Sequence, residues 1–160
     1  MEPLTPIPEL PYIDEHATVI AASADSVWSV LTDMLDQALS RGGVASYSRI
    51  VGCADCSASG PRPLAEGSTI PGFRVVTLVP GSELVLVGRH RFSSYALIFR
   101  LEQLSPSQSR LHAESRGAFP GVAGSVYRLL VIGTGGHMVA VRHMLSRVKR
   151  RSEPRTPART

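Results

Sequence analysis

Aromatic side chains are scarce in this chain: Phe, Trp and Tyr make up 6% of its 160 residues, with one Trp. Any core must therefore be built mainly from Val, Leu, Ile and Ala. Cysteine is nearly absent, and long apolar runs are missing. The most apolar window, Leu129 to Val141, has 13 residues and holds His137 and three glycines. A helix that spans a bilayer needs about 20 apolar residues, so no membrane span is expected. Met1 to Pro11 has four prolines and no basic residue ahead of an apolar run. A secretory signal needs both a positive start and an apolar stretch. With two cysteines and no signal, a reducing cytoplasm is the expected location.

What is present is ordinary for a globular protein: 43% hydrophobic and 19% charged residues, in one domain's length. The net charge of +4 invites a nucleic-acid reading, but its placement argues against one. Arg142 to Arg159 carries seven basic residues and one acid, Glu153, so the body without it is near −2. The Arg147–Arg151 cluster has no interleaved aromatics, and such ends are mostly solvated. If it makes a weak contact, anionic membrane lipid is expected ahead of nucleic acid.

Residues 1–11 read as an extended lead-in, 12–151 as one domain and 152–160 as a disordered basic tail. Tyr12 to Ala21 alternates as a strand. Ser23 is a plausible N-cap, and Asp25 complements the dipole of the helix that follows. Val27, Val30, Leu31, Met34, Leu35, Ala38 and Leu39 recur at helical spacing with Trp28 on the flank, and Arg41-Gly42-Gly43 ends the pattern. Then come candidate strands at Val44–Val51, Ser68–Val79 (interrupted at Pro71-Gly72), Leu84–Arg91, Ser94–Leu104 and Ser109–Ala118.

The last two strands can be registered. Leu101 opposite Leu111, Phe99 opposite Ala113 and Leu97 opposite Ser115 unite the apolar positions, and Glu102 then faces Arg110. A slip by one residue would bury Glu114 against Phe99. Phe119-Pro120-Gly121 breaks the sheet. From Val122 to about Arg151, Val122, Val126, Leu129, Leu130, Gly133, His137, Ala140, Val141, Met144 and Val148 project onto one stripe at about 100° per residue.

Strand, helix, a run of antiparallel strands and one long helix do not fit a parallel α/β sheet. They predict an α+β helix-grip fold, a curved antiparallel sheet wrapped around a long C-terminal helix. Three stretches carry a resemblance: Ala21-Ala22-Ser23-Ala24-Asp25-Ser26-Val27-Trp28, Gly88 to Phe99 (GRHRFSSYALIF) and Gly117 to Arg128 (GAFPGVAGSVYR). With the element order, they make residues 12–151 resemble the START-like, or SRPBCC, superfamily. That superfamily includes pollen-allergen-type ligand binders, polyketide cyclases/aromatases and lipid-transfer domains. The chain departs from it in showing one clear helix between the first two strands and a dense glycine cluster in the last helix.

The expected ligand-binding residues are Trp28, His90, Tyr95, Leu97, Phe99, Ser115, Phe119, Gly133 and His137. Glycine inside a helix costs about 1 kcal/mol relative to alanine, so Gly133 on a buried stripe suggests volume kept for a guest. His137 would supply a polar contact; the alternative is close packing or a kink with His137 as a satisfied core or rim histidine. If Gly88 and His90 face inward, then His90, Tyr95 and Ser115 form a polar set in an apolar wall; the other register puts Arg89 and Arg91 there. Glu114 and Arg116 read as a solvated outer pair. Cys53-x-x-Cys56 lacks the partners of a zinc site and the context of a redox site, which leaves loop thiols or an incidental disulfide. No metal and no cofactor are expected.

The partner expected is a small hydrophobic molecule, lipid- or polyketide-like. The resemblance also implies an alternative, a polyketide cyclase/aromatase or dehydrase in which His90, Tyr95 or His137 moves a proton. A third reading is an interaction domain whose interior is filled by its own side chains.

Overall fold

Turn chemistry and alternation divide the chain into short antiparallel neighbours. The computed structural model describes residues 9–39, 46 and 48–155. Most of the proline-rich lead-in (residues 1–8), the Arg41-Gly42-Gly43 stop and the end of the tail (156–160) lie outside them. Strand β1 (Tyr12–Ile20) leads into helix α1 (Ala24–Leu39). Ser23 stands just before α1, and its hydroxyl accepts the Ser26 N–H at 3.3 Å, the N-cap its type predicts. Strands β2 (Thr69–Ile70), β3 (Phe73–Val79), β4 (Glu83–His90), β5 (Ser93–Ser105) and β6 (Gln108–Ala118) follow. With β1 they form one curved antiparallel sheet in the order β1-β6-β5-β4-β3-β2.

The β5/β6 register is the one read from the charges and apolar pairs: Phe99 faces Ala113, Leu101 faces Leu111 and Glu102 faces Arg110. The inner face of the sheet and both helices share a core that includes Ile20, Val27, Leu31, Leu84, Leu86, Phe99, Leu111, Leu145 and Val148. Val85 and Val87 turn the other way, onto a smaller cluster with Leu10, Ala96 and Ile98. Buried on both faces, β4 reads as a continuous apolar run.

Three expectations are corrected. Residues 48–50 are helical rather than part of a strand over Val44–Val51. Ser48 and Val51 are buried while Ile50 is exposed, a spacing of three that suits a helical turn and not a pleat. Glu114 is on the outer face but is buried, not solvated. Burial pushes its carboxyl up, and this is outweighed by Arg100 at 2.7 Å and by Arg116, which hold it below the usual carboxylate range.

The last helix is not continuous. It comprises α2 (Gly121–Arg128), a π-helical turn (Leu129–Gly133) and α3 (Gly136–Ser152). Gly135 joins the last two parts at φ 77°, a conformation open chiefly to glycine. The wide turn and the break shift the helical phase, so the single stripe splits. Val141, Leu145 and Val148 of α3 are buried, whereas Val122, Val126, Leu129 and Leu130 are exposed.

Candidate functional site

Beyond the reach of α1 and α3, the inner face of the sheet ends in a recess of about 220 Å³. Tyr95 and Leu97 of β5, His90 of β4 and Ser115 of β6 form its sheet wall. Phe119 follows β6, and α2 and the π turn contribute Tyr127, Val131 and Ile132 as a cover. Ile13, Ser48, Cys53 and the Pro71-Gly72-Phe73 turn close the sides, and His137 enters from the start of α3.

Two close approaches shape this end. Gly88 pairs with Tyr95 across β4 and β5, and a Cβ there would lie 2.4 Å from the Tyr95 ring and 2.2 Å from the Gly72 carbonyl oxygen. Without that Cβ, the ring lies flat on the strand and its hydroxyl donates to Gly72 O at 2.7 Å. A Cβ at Gly124 would lie 2.6 Å from the Phe119 backbone. The same close fit brings Tyr127 over the β4–β5 turn, edge-on to His90 at 4.7 Å and stacked on Phe92 at 5.6 Å.

His90 faces inward, as does Gly88, so the register that would have put Arg89 and Arg91 inside is excluded. The Phe92 N–H donates to His90 Nδ1 at 3.1 Å, so the ring proton is on Nε2 and donates to Ser93 Oγ at 3.0 Å. Both nitrogens are occupied by protein groups, and burial pushes the imidazole pKa down. His90 is thus a neutral wall residue. The unfolded chain takes up a proton below about pH 6.5 that folded His90 resists, so protonation favours unfolding. Stability is fully present above that pH and falls as the pH drops through it. His90→Gln is expected to flatten this slope in urea unfolding followed from about pH 7.5 to about pH 5.

His137 presents a different environment. Its Nε2 lies 2.8 Å from Ser115 Oγ and 3.7 Å from Asp14 Oδ1. That Asp14 oxygen is buried and has no hydrogen-bond partner among the described residues, while Oδ2 is 3.3 Å from His16 Nε2. A bulge in β1 between Tyr12 and Asp14 puts Ile13 on the recess and Asp14 beneath α3. Ser115 and Asp14 both address the same ring nitrogen, so this is not the relay geometry of a Ser-His-Asp nucleophile, which needs the carboxylate at the other nitrogen. It is a polar edge on an apolar chamber.

Of the nine residues expected from the sequence, His90, Tyr95, Leu97, Ser115, Phe119 and His137 come together around the recess. Trp28, Phe99 and Gly133 do not. Trp28 packs half-buried on the main core from the flank of α1, and Phe99 is fully enclosed in that core. Gly133 is exposed, because the π turn rotates it outward and brings Val131 and Ile132 in. Sequence reasoning missed Tyr127 and Val131, whose spacing of four does not stand out on a helix apolar on both faces, and Cys53. The Cys53 thiol is 3.8 Å from the Tyr95 oxygen, and burial pushes its pKa up, so it is held as the thiol.

No family model matches the chain, and no curated protein matches it in sequence. Solved structures do match its shape. The Zhui aromatase/cyclase from Streptomyces sp. R1128 superimposes at a TM-score of 0.57 with 15% identity, covering 95% of this chain and 100% of that one. A START superfamily protein from Mycobacterium smegmatis gives 0.51 with 13% identity over 87% and 98% of the two chains. The fold is START-like. In START-like terms, the sheet is the grip and α3 the grasped helix, with the recess at the end where α2 and the π turn cross the sheet. Protein CV1439 from Chromobacterium violaceum superimposes at a TM-score of 0.55, with 13% identity over 91% of this chain and 100% of that one. Identities this low speak for the fold alone.

Proposed function

We propose that this protein binds a small, mostly apolar molecule, polyketide- or lipid-like, in the recess beneath α2 and the π turn. The observation that carries this reading is the composition of the wall: Leu97, Phe73, Phe119, Tyr127, Val131 and Ile132, with polar groups at the Tyr95 hydroxyl, the His90–Ser93 and His137–Ser115 pairs, Ser48 and Arg116. A few oriented polar groups in an apolar wall are what a ligand pocket needs. A dry cavity of about 150 Å³ accommodates benzene, so a volume of this order suits one or two rings or a short chain. Both thiols are free, in keeping with the reducing cytoplasm where we place the protein. Among the described residues no helix is long and apolar enough to cross a membrane.

Native mass spectrometry of freshly purified protein tests the reading. A bound species of roughly 100–200 Da that is lost on denaturation is expected, the size of one or two rings or a short chain. A protein that stays empty and refuses naphthols and short fatty acids would remove the support.

One observation favours a second reading, a cyclase/aromatase-type enzyme. Two titratable side chains with different chemistry, Tyr95 and His137, line the same recess. An imidazole and a phenol are among the groups such proton transfers use. His90 is not assigned a part in it, since both its nitrogens are engaged, and the Tyr95 proton would first have to leave the Gly72 carbonyl oxygen.

A further inference from the structure

We infer that the arm formed by α2, the π turn and the start of α3 docks on an anionic lipid bilayer, with its outer apolar face against the acyl region. A helix covering an apolar chamber is ordinarily apolar inside and polar outside. This one is apolar on both sides. Tyr127 and Val131 face the recess, while Val122 (83% exposed), Leu129 (68%) and Leu130 (63%) stand in solvent on the opposite side. Val126 shares that outer face, and past the break Val139 (64%) is again an exposed apolar side chain. The π turn itself reads Leu-Leu-Val-Ile-Gly, with no polar side chain. Large exposed apolar patches of this kind mark contact surfaces.

Charge selects the occupant. From Gly121 to Ser152 there is no Asp or Glu, and there are six basic residues: Arg128, Arg142, Arg147, Lys149, Arg150 and Arg151. On α3, Val139, Arg142 and Arg150 recur at helical spacing on the exposed side, opposite the buried Val141, Leu145 and Val148. Aliphatic side chains with flanking arginines and no acids are the composition of an interfacial helix. A symmetric pair of two such chains would set the same arginines against each other, so a second copy fits the surface poorly. Near an anionic surface each Lys or Arg strengthens binding about fivefold. Because this arm also covers the recess, docking would place the chamber's cover at the membrane, from which an apolar guest can be drawn. That last step rests on the pocket reading; the docking does not.

The experiment is vesicle co-sedimentation of the full chain with no ligand added. Phosphatidylcholine vesicles are compared with vesicles containing phosphatidylglycerol. The protein is expected to sediment with the anionic vesicles, weakly at high salt, and to stay in solution with phosphatidylcholine alone. Arg142→Glu/Arg150→Glu is expected to lower binding at least tenfold (two basic side chains at about fivefold or more each). Leu129→Ser/Leu130→Ser is expected to lower it at least tenfold as well, through the apolar area no longer buried in the interface (on the order of one CH₂-equivalent or more per side chain). Melting temperatures should hold, since all four side chains are exposed. Wild-type protein that ignores anionic vesicles, or leucine variants that bind unchanged, would overturn the inference. So would a dimer in sedimentation equilibrium that the leucine variant dissolves, which would make the face a self-association surface. Protein that binds vesicles yet refuses every small molecule would sink the pocket reading and leave this one standing.

Discussion

Phe99→Ala lowers the stability of this protein by about 3–5 kcal/mol, the largest single-residue effect expected here. The ring is fully buried, pairs across the sheet with Leu84 and Ala113, and belongs to the core that α1 and α3 close. Removing it leaves a hole between rigid elements that cannot collapse to fill it. In a domain of this size each kcal/mol shifts the melting temperature by about 2–4 °C. Urea unfolding with and without ligand is the measurement, and the loss should be the same in both. Leu97, two residues back on the same face, lines the recess and is only half-buried. Leu97→Ala should cost less stability and act mainly on uptake. If Phe99→Ala were tolerated while uptake collapsed, the boundary between core and recess would be misplaced.

Val131→Trp gives the second large effect: uptake of a test ligand such as 2-naphthol falls by at least a hundredfold while the protein stays folded. Val131 lines the recess from the π turn, where the cover is half-exposed and free to accommodate backbone shifts. An indole there occupies the space a two-ring guest needs. A bicyclic guest loses its whole apolar burial, roughly 25 cal/mol per Å², when the chamber is already full. Isothermal calorimetry against a surface control such as Val79→Trp separates the filled chamber from a general effect; Val79 is exposed at the end of β3. Unchanged affinity would put the guest elsewhere.

The sheet was legible in the sequence because its signals are local and reinforce one another. Glu102 facing Arg110, with Phe99 on Ala113, leaves only one workable register for β5 and β6. The sequence left open whether Gly88 and His90 or Arg89 and Arg91 face inward, because Leu84 to Val87 is apolar at every position. The structure puts Leu84 and Leu86 in the main core and Val85 and Val87 on the other face. The end of the molecule that forms the recess was less legible, for a geometric reason. A stripe drawn at constant pitch from Val122 to Val148 assumes an unbroken α-helix. The π turn and Gly135 break the pitch, so Gly133, expected on the chamber floor, faces solvent while His137 still turns in. Tyr127 and Val131 were hidden because both faces of their helix are apolar and periodicity cannot rank two apolar faces. Phe99 and Tyr95 share a strand face, and nothing in that alternation says where the helices stop covering it. Trp28, which closes the Ala21–Trp28 stretch of the resemblance, was expected at the site, and it packs on the core instead.

The account stands on an apolar chamber of limited size beneath the cover helix. Calorimetric titration with 4-alkylphenols of increasing chain length addresses it most directly. Affinity should rise by about 0.8 kcal/mol for each added CH₂ while the tail finds dry volume, then stop rising once the chamber is full. Val131→Trp should bring that limit to a shorter chain. Affinities that are negligible throughout, or that climb without limit and ignore the tryptophan, would contradict an enclosed site in this recess.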